Sequence, residues 1–261
     1  MIDLHAHILP GLDDGAADLE ASVAMCRSAV AEGIRTVAAT PHVNRDYPPD
    51  PKAMAYAVGA LNVALVRMEI PLAVLPGGEL ALASARELDQ DTLRAFCLGG
   101  GDCILLESPY GGELPWLEDL IAELQERGLR PLLAHPERSP VFQDDLERLE
   151  RLVERGVRCT VNAGSMAGRS GDAARDCAID LFRRGLVHAV SSGAHDNARR
   201  PPRLRDGFEA LEGDLPGLSE QCDWYTDAAP AAILAGEPLP ERPKPAKGRG
   251  PFRRLFSRSA A

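Results

Sequence analysis

Seven residues with metal-ligand chemistry stand directly after short apolar runs: His5, His7, His42, Glu79, Glu107, His135 and His195. His5 and His7 lie two apart at the end of the opening run. In a strand that spacing turns both imidazoles to one side. Neutral imidazole and carboxylate together suit Mn, Fe or Zn better than Ca or an all-thiolate zinc site. Glu79 and Glu107 could each bridge two ions. Ions set a few ångströms apart stabilise both attacking and leaving oxygens in displacement at phosphorus, and they acidify water. Two arginines extend that chemistry, because guanidinium holds phosphate oxygens in a bidentate fork. Arg138 lies in His135-Pro-Glu-Arg138, with an ion pair to Glu137 or Asp144 as its competing use. Arg200 precedes Pro201-Pro202, with Arg199 and Arg203 competing for its role.

Such residues act together only if the fold gathers them. Apolar runs alternate with amphipathic segments from the start of the chain to His195. Strands are expected at 1–7, 36–40, 72–75, 103–106, 130–134, 157–162 and 187–191. Between them, helices are expected at 18–33, 52–68, 81–96, 115–128, 144–156 and 173–185. Asp18 is the expected cap of the first helix and Gly33 its stop. Alternation of this kind implies a mostly parallel sheet, and seven strands in this length suit a barrel. In a parallel barrel the carboxyl ends of the strands share one rim, where the ligand-type residues would meet. His188 sits near the start of the last strand and is expected to be structural. No Gly-x-Gly-x-x-Gly follows the first strand, so a dinucleotide fold has no support.

The 261 residues are 45% hydrophobic and carry a formal net charge of −10, which disfavours nucleic acid as the main partner. No apolar run reaches the ~18 residues of a membrane span, and no signal peptide is visible. Six cysteines form no Cys-x-x-Cys pair, which favours free thiols and a cytoplasmic location. Two units are expected. Residues 1–237 form the folded domain, and residues 238–261 form a Pro-rich, basic tail that is extended and mobile and could touch anionic lipid or an acidic partner.

The chain resembles the PHP (polymerase and histidinol phosphatase) superfamily, and within it the CpsB/CapC-type tyrosine-protein phosphatases of capsule and exopolysaccharide operons. The resemblance rests on Ile2-Asp-Leu-His-Ala-His-Ile-Leu-Pro-Gly-Leu-Asp-Asp-Gly15, Ala39-Thr-Pro-His42, Gly77-Gly-Glu79, Leu105-Leu-Glu107, Ala134-His-Pro-Glu-Arg138, Asn162-Ala-Gly-Ser165, Ala194-His195, Arg200-Pro-Pro202 and the segment 228–237. It implies an α/β fold, a distorted (β/α)7 barrel of the PHP type. It also implies up to three metal ions, with Mn2+ favoured over Fe, Zn or Mg. The implied activity is hydrolysis, by a metal-activated water, of phosphotyrosine on an autokinase of polysaccharide export. His5 and His7 would hold one ion, Glu79, Glu107 and His135 would hold or bridge the others, and His42 and His195 would complete the cluster. Asp14 would orient or activate water. His42 would also serve catalysis, Arg138 would hold the phosphate, and Arg200 would assist it.

Two positions depart from the pattern. The family's Ser-Asp-Ala-His reads Ser192-Gly-Ala-His195 here, so Gly193 stands where a ligand carboxylate is expected. Its loss should weaken the ion held by His5 and His7, and Asp196 is the nearest carboxylate that could compensate. Ser139 stands where an aromatic commonly follows Arg138. The competing readings are a small-molecule phosphomonoesterase of the histidinol-phosphatase kind and a weakly catalytic regulator.

Overall fold

The opening apolar run folds as β1 (Ile2–Ala6) in the computed structural model, which describes residues 1–111 and 114–242. α1 (Leu19–Glu32) begins where the Asp18 carboxylate accepts from the Ala21 amide at 2.8 Å, and it ends at Gly33 with φ +92°. A side-chain cap of this type contributes about 1 kcal/mol. β2 (Thr36–Ala39) runs through Thr40-Pro41 into β3 (His42–Val43), and α2 (Pro51–Arg67) follows. β4 (Ala73–Leu75) likewise crosses Pro76-Gly-Gly78 into β5 (Glu79–Leu80). A Cβ on Gly78 would stand 2.7 Å from the Phe96 ring, so the bare glycine lets the kink pack closely.

The single helix expected over 81–96 is two, α3 (Leu82–Glu87) and α4 (Gln90–Ala95). The Asp89 side chain accepts from the Thr92 amide at 2.8 Å and starts the second helix afresh. β6 (Cys103–Glu107), α5 (Leu117–Glu126) and β7 (Arg130–Ala134) come next. α5 starts two residues past Pro115 and buries Leu117, Leu120, Ile121 and Leu124 on one face. α6 (Pro140–Asp144) forms where no helix is expected, and α7 (Leu146–Glu154) falls within the helix expected over 144–156. Asp145 caps the second through the Arg148 amide. β8 (Arg158–Asn162), α8 (Ala163–Met166), α9 (Asp172–Arg183) and β9 (Ala189–Ser191) complete the alternation.

Every strand pairing is parallel: β1–β2–β4 in one sheet, and β3–β5–β6–β7–β8–β9 in the other. Because β2–β3 and β4–β5 are each one strand broken by a kink, seven strand positions follow one another around a ring. An isolated Ala6–Ala194 bridge joins its ends, flanked by His7 N to Ala194 O at 2.7 Å and Gly193 N to His5 O at 2.9 Å. The result is the distorted (β/α)7 barrel that the motifs implied, with ladder pairing interrupted rather than continuous. At the interruption beside β4, the turn Leu98–Gly100 packs against β4 and β6, and Gly99 N donates to Pro76 O at 2.8 Å.

Leu4, Ala38, Leu105, Leu132 and Ala189 form a small inner cluster. Leu98 and Ile233 join it, the latter from a segment to which the hydrophobic pattern assigned no element. That segment holds α10 (Arg205–Leu211) and α11 (Ala229–Ala235). The larger cluster, with Ile104, Leu106, Leu120 and Leu124 among its members, lies between strands and helices. Each fully buried side chain of this size contributes about 1.5–3 kcal/mol.

His188 is buried, and its Nδ1 accepts the Cys159 amide at 3.1 Å. Burial first, then Arg242 and Arg158, push its pKa down to about 3, which fits a neutral structural residue. All six cysteines are free and buried. No helix among the described residues is long and apolar enough to cross a membrane. Residues 238–242 of the expected tail carry no regular structure, and 243–261 lie outside the described residues.

Candidate metal centre

β1 does not run straight to its histidines. Asp3 pairs with Val37 and Ala6 with Ala39, a step of three residues against two, so β1 contains one extra residue. A bulge of this kind re-aims the side chains that follow it. Ile2 and Leu4 therefore pack in the inner cluster, Ala6 packs in the outer one, and His5 opens onto the rim cavity. The His5 amide donates to Asp3 Oδ1 at 3.2 Å. The same carboxylate accepts from the Ser192 amide at 3.0 Å and the Ser192 hydroxyl at 2.5 Å, fastening the bulge to the seam of the barrel. Burial pushes the Asp3 carboxyl up to about 6, partly offset by the Ser192 hydrogen bonds.

Glu79 is the centre of the site, with its side chain 1% exposed. Its Oε1 lies 2.7 Å from His135 Nε2 and 3.5 Å from His5 Nε2. Its Oε2 lies 3.1 Å from His42 Nδ1 and 3.3 Å from His7 Nε2. The His7 and His195 rings stack with centroids 3.7 Å apart. Asp14 Oδ1 is 3.4 Å from His195 Nε2 and 3.6 Å from His42 Nε2. Ligand atoms gather in three groups, each within 4.8 Å: His7, Asp14, His42 and His195; His5, His7 and Glu79; and His42, Glu79 and Glu107. All seven ligand-type residues read from the sequence thus meet at one rim, His135 through its contact with Glu79. Asp14, expected to act on water, also sits at ligand distance.

The site fits cations. His7 Nε2, His42 Nδ1, Glu79 Oε2 and His195 Nε2 are buried and make no hydrogen bond among the described residues. Buried polar atoms are otherwise almost always satisfied, so these are aimed at something else. Burial holds His5 and His42 below the ordinary histidine range, and burial with His7 and Arg200 takes His195 down to about 3. Their lone pairs are therefore free to ligate. His7 runs the other way. Burial disfavours its charge, but Asp13 and Glu79 outweigh burial and raise it to about 9. The protein thus demands positive charge beside Glu79, which a cation at Nε2 would supply in place of a proton. Burial and then Glu79 raise the Glu107 carboxyl, a like-charge conflict that cations relieve.

Asp13, to which strand position assigns no role, supports the ligands. Its Oδ2 accepts from His7 Nδ1 at 2.5 Å and from the His42 amide at 2.9 Å, and its Oδ1 accepts from the Gly15 amide at 3.0 Å. Thr40 does similar work, with its hydroxyl 2.7 Å from His5 Nδ1. Asp13 ends no strand, so no positional signal marks it, whereas Thr40 closes the strand expected over 36–40 but is not of a metal-ligand type.

Gly193 has φ +56°, and a Cβ there would lie 2.5 Å from Asn162 Nδ2. The Asn162 side chain therefore fills the space beside Gly193. Asp196 does not compensate: its Oδ1 accepts the amides of Ala198, Arg199 and Arg200, folding its own loop. Arg138 lies over the Tyr110 ring at 5.4 Å and makes no ion pair among the described residues. Tyr110 thus supplies the aromatic neighbour that Ser139 does not, and the Ser139 hydroxyl donates instead to Pro109 O. Arg200 Nη2 reaches Asp14 Oδ2 at 3.4 Å. Arg138 and Arg200 line the same cavity of about 210 Å3 as His5, Glu79 and Glu107.

Comparison with known proteins agrees with this geometry. Residues 1–217 match the family described as "Capsular polysaccharide synthesis, CpsB/CapC". The chain is 35% identical over 253 residues to the tyrosine-protein phosphatase YwqE of Bacillus subtilis (strain 168), covering 97% of this chain and 99% of that one. It is 26% identical over 227 residues to the putative tyrosine-protein phosphatase CapC of Staphylococcus aureus, covering 86% and 88%. A solved structure described as YwqE from Bacillus subtilis and CpsB from Streptococcus pneumoniae, "unique metal-dependent tyrosine phosphatases", aligns with TM-score 0.84 at 35% identity, over 95% of this chain and 100% of that chain.

Proposed function

The chain belongs to the CpsB/CapC capsular polysaccharide synthesis family, and on that premise we propose that it is a metal-dependent protein-tyrosine phosphatase. One observation carries the reading. A buried carboxylate lies within 3.5 Å of four imidazoles, with orphaned ligand atoms turned toward a cavity walled by two arginines.

His5, His7 and Glu79 would hold one ion. Glu79, Glu107, His135 and His42 would hold a second, and His7, His42, His195 and Asp14 a third. Bound ions there supply Lewis acidity toward water and charge neutralisation on the phosphoryl oxygens. The chain's own residues do the rest. Arg138, packed over the Tyr110 ring, binds the equatorial oxygens as charge builds on them. Arg200, which lines the same cavity, assists. Asp14 is exposed and stands 3.4 Å from His195, placed to orient the attacking water and accept its proton. Phenolate is a good leaving group, so little acid assistance is required.

The substrate would be phosphotyrosine on a kinase of polysaccharide export, and the working location the cytoplasm. Mn2+, at up to three ions, suits the mixed nitrogen and oxygen donors. Residues 1–237 would be the catalytic domain and 238–261 a basic tail for peripheral membrane contact.

The test is phosphate release from a phosphotyrosyl peptide by the full chain, with metal content measured in parallel. Turnover with Mn2+, its loss on chelation and its return on adding metal back are expected. Faster turnover of histidinol phosphate than of the peptide would reverse the substrate assignment.

Gly193 allows a second check. Gly193→Asp alone should not improve the site, because a side chain at positive φ meets Asn162. A cost of about 2 kcal/mol is expected, or a fall in Tm of roughly 5 °C. Combined with Asn162→Ala the carboxylate has room, and Mn2+ affinity should rise about tenfold, as one added anionic ligand would give. Tighter binding by the single variant would show that Asn162 does not block the position.

A further inference from the structure

A second cavity of about 370 Å3 adjoins the metal centre, sharing Tyr110, Arg138, Asn162, Gly193 and Arg200 with the first. Arg169 and Arg199 line it as well, and no carboxylate among the described residues does. That is four guanidinium groups around one hollow, in a chain with 39 acidic and 29 basic residues. Arg169 is paired to Asp206 at 2.8 Å and Arg200 approaches Asp14, while Arg138 and Arg199 form no ion pair among the described residues. Ala173 and Ala174 line the cavity from the first turn of α9, which Gly171 starts without a side-chain cap and which also carries Asp172. Asn162, 6% exposed, lines both cavities, and its Oδ1 makes no hydrogen bond among the described residues.

Resting on the phosphatase reading, we propose that this cavity is a second anion subsite, which takes an acidic side chain or a further phosphoryl group flanking the phosphotyrosine on the same peptide. Arg138 and Arg199 have no carboxylate partner among the described residues, and an anionic ligand in the hollow would offset the positive charge that Asp206 and Asp14 leave uncompensated. The first cavity would receive the phosphoryl group that reacts, and the second would select its neighbour. Specificity then comes from the sequence around the tyrosine rather than from the tyrosine alone.

Binding and turnover separate this proposal from the one beneath it. Peptides carrying a non-hydrolysable phosphonate analogue of phosphotyrosine are titrated into the metal-loaded full chain. Three flanks are compared: neutral, Asp/Glu-rich, and bearing a second phosphotyrosine. The acidic flanks should bind about tenfold tighter than the neutral one, as a charge-assisted contact predicts. The ratio should shrink between low and high salt. In Arg169→Gln/Arg199→Gln it should fall to near one. A larger gain for the second phosphotyrosine than for Asp/Glu identifies the phosphoryl group as the preferred anion. Equal binding of all three peptides, a ratio insensitive to salt, or an undiminished ratio in the double variant overturns the subsite. If matched phosphotyrosyl peptides are not hydrolysed while the binding ratio holds, the phosphatase reading falls and the subsite stands.

Discussion

Glu79→Gln is expected to lower phosphotyrosine hydrolysis by at least about a thousandfold, about 4 kcal/mol of transition-state stabilisation. The substitution keeps shape and volume, so the barrel should fold. It removes the charge that four imidazoles surround: Oε1 faces His135 and His5, and Oε2 faces His42 and His7. In two of the three ligand groups Glu79 is the shared member, so its loss weakens two ions at once. The amide would also turn an NH2 donor toward imidazole nitrogens that a cation should occupy. Elemental analysis should show reduced metal content, with the circular dichroism spectrum unchanged. A variant that keeps its full metal load and a rate within tenfold of wild type would remove Glu79 from the centre of the mechanism.

How far the sequence foretold this site depends on what each residue obeys. Strand ends are legible because apolar runs stop where polar ligands begin, and parallel alternation sends those ends to one rim. His5, His7, His42, Glu79, Glu107, His135 and His195 were all found that way, and the structure gathers them. The bulge in β1 was not legible. The spacing of His5 and His7 is the same in a straight strand, and only pairing with Val37 and Ala39 exposes the extra residue. The break at Leu88–Asp89 was hidden because apolar periodicity continues across it while a cap on Thr92 restarts the helix. The Ile233 plug depends on contacts with strands far away in the chain, which no local pattern reports. Asn162 is a similar case: its motif was visible, but the space it fills beside Gly193 is a tertiary fact.

Asp13 and Asp14 are neighbours in the chain with different surroundings in the fold. They look equivalent in the sequence, yet one side chain is 1% exposed and the other 45%. Asp13 accepts three N–H groups: His7 Nδ1, the His42 amide and the Gly15 amide. Burial opposes its charge, but the His7 bond, then the His7 charge and the two amides, bring its pKa down to about 2. It therefore stays ionised throughout the working pH range. By holding the proton on Nδ1 it fixes the His7 tautomer that leaves Nε2 free to ligate.

Asp13→Asn offers one acceptor oxygen where the carboxylate offers two, and it turns an NH2 group toward a donor. His7 would lose both orientation and basicity. A ten- to hundredfold loss of metal affinity is expected, in the range known for partners of ligating histidines, about 1.4–2.7 kcal/mol. The signature is a split. Activity at limiting Mn2+ falls about a hundredfold, and saturating Mn2+ restores most of it, because Asp13 positions a ligand and does not touch the substrate. Asp14→Asn should differ: it weakens the ion shared with His7, His42 and His195, and because its carboxylate is also placed to take the proton of water, a rate deficit persists at saturating metal. Were Asp13→Asn equally defective at every Mn2+ concentration, its carboxylate would have to act on the reacting atoms themselves, and the roles assigned to the two acids would be exchanged.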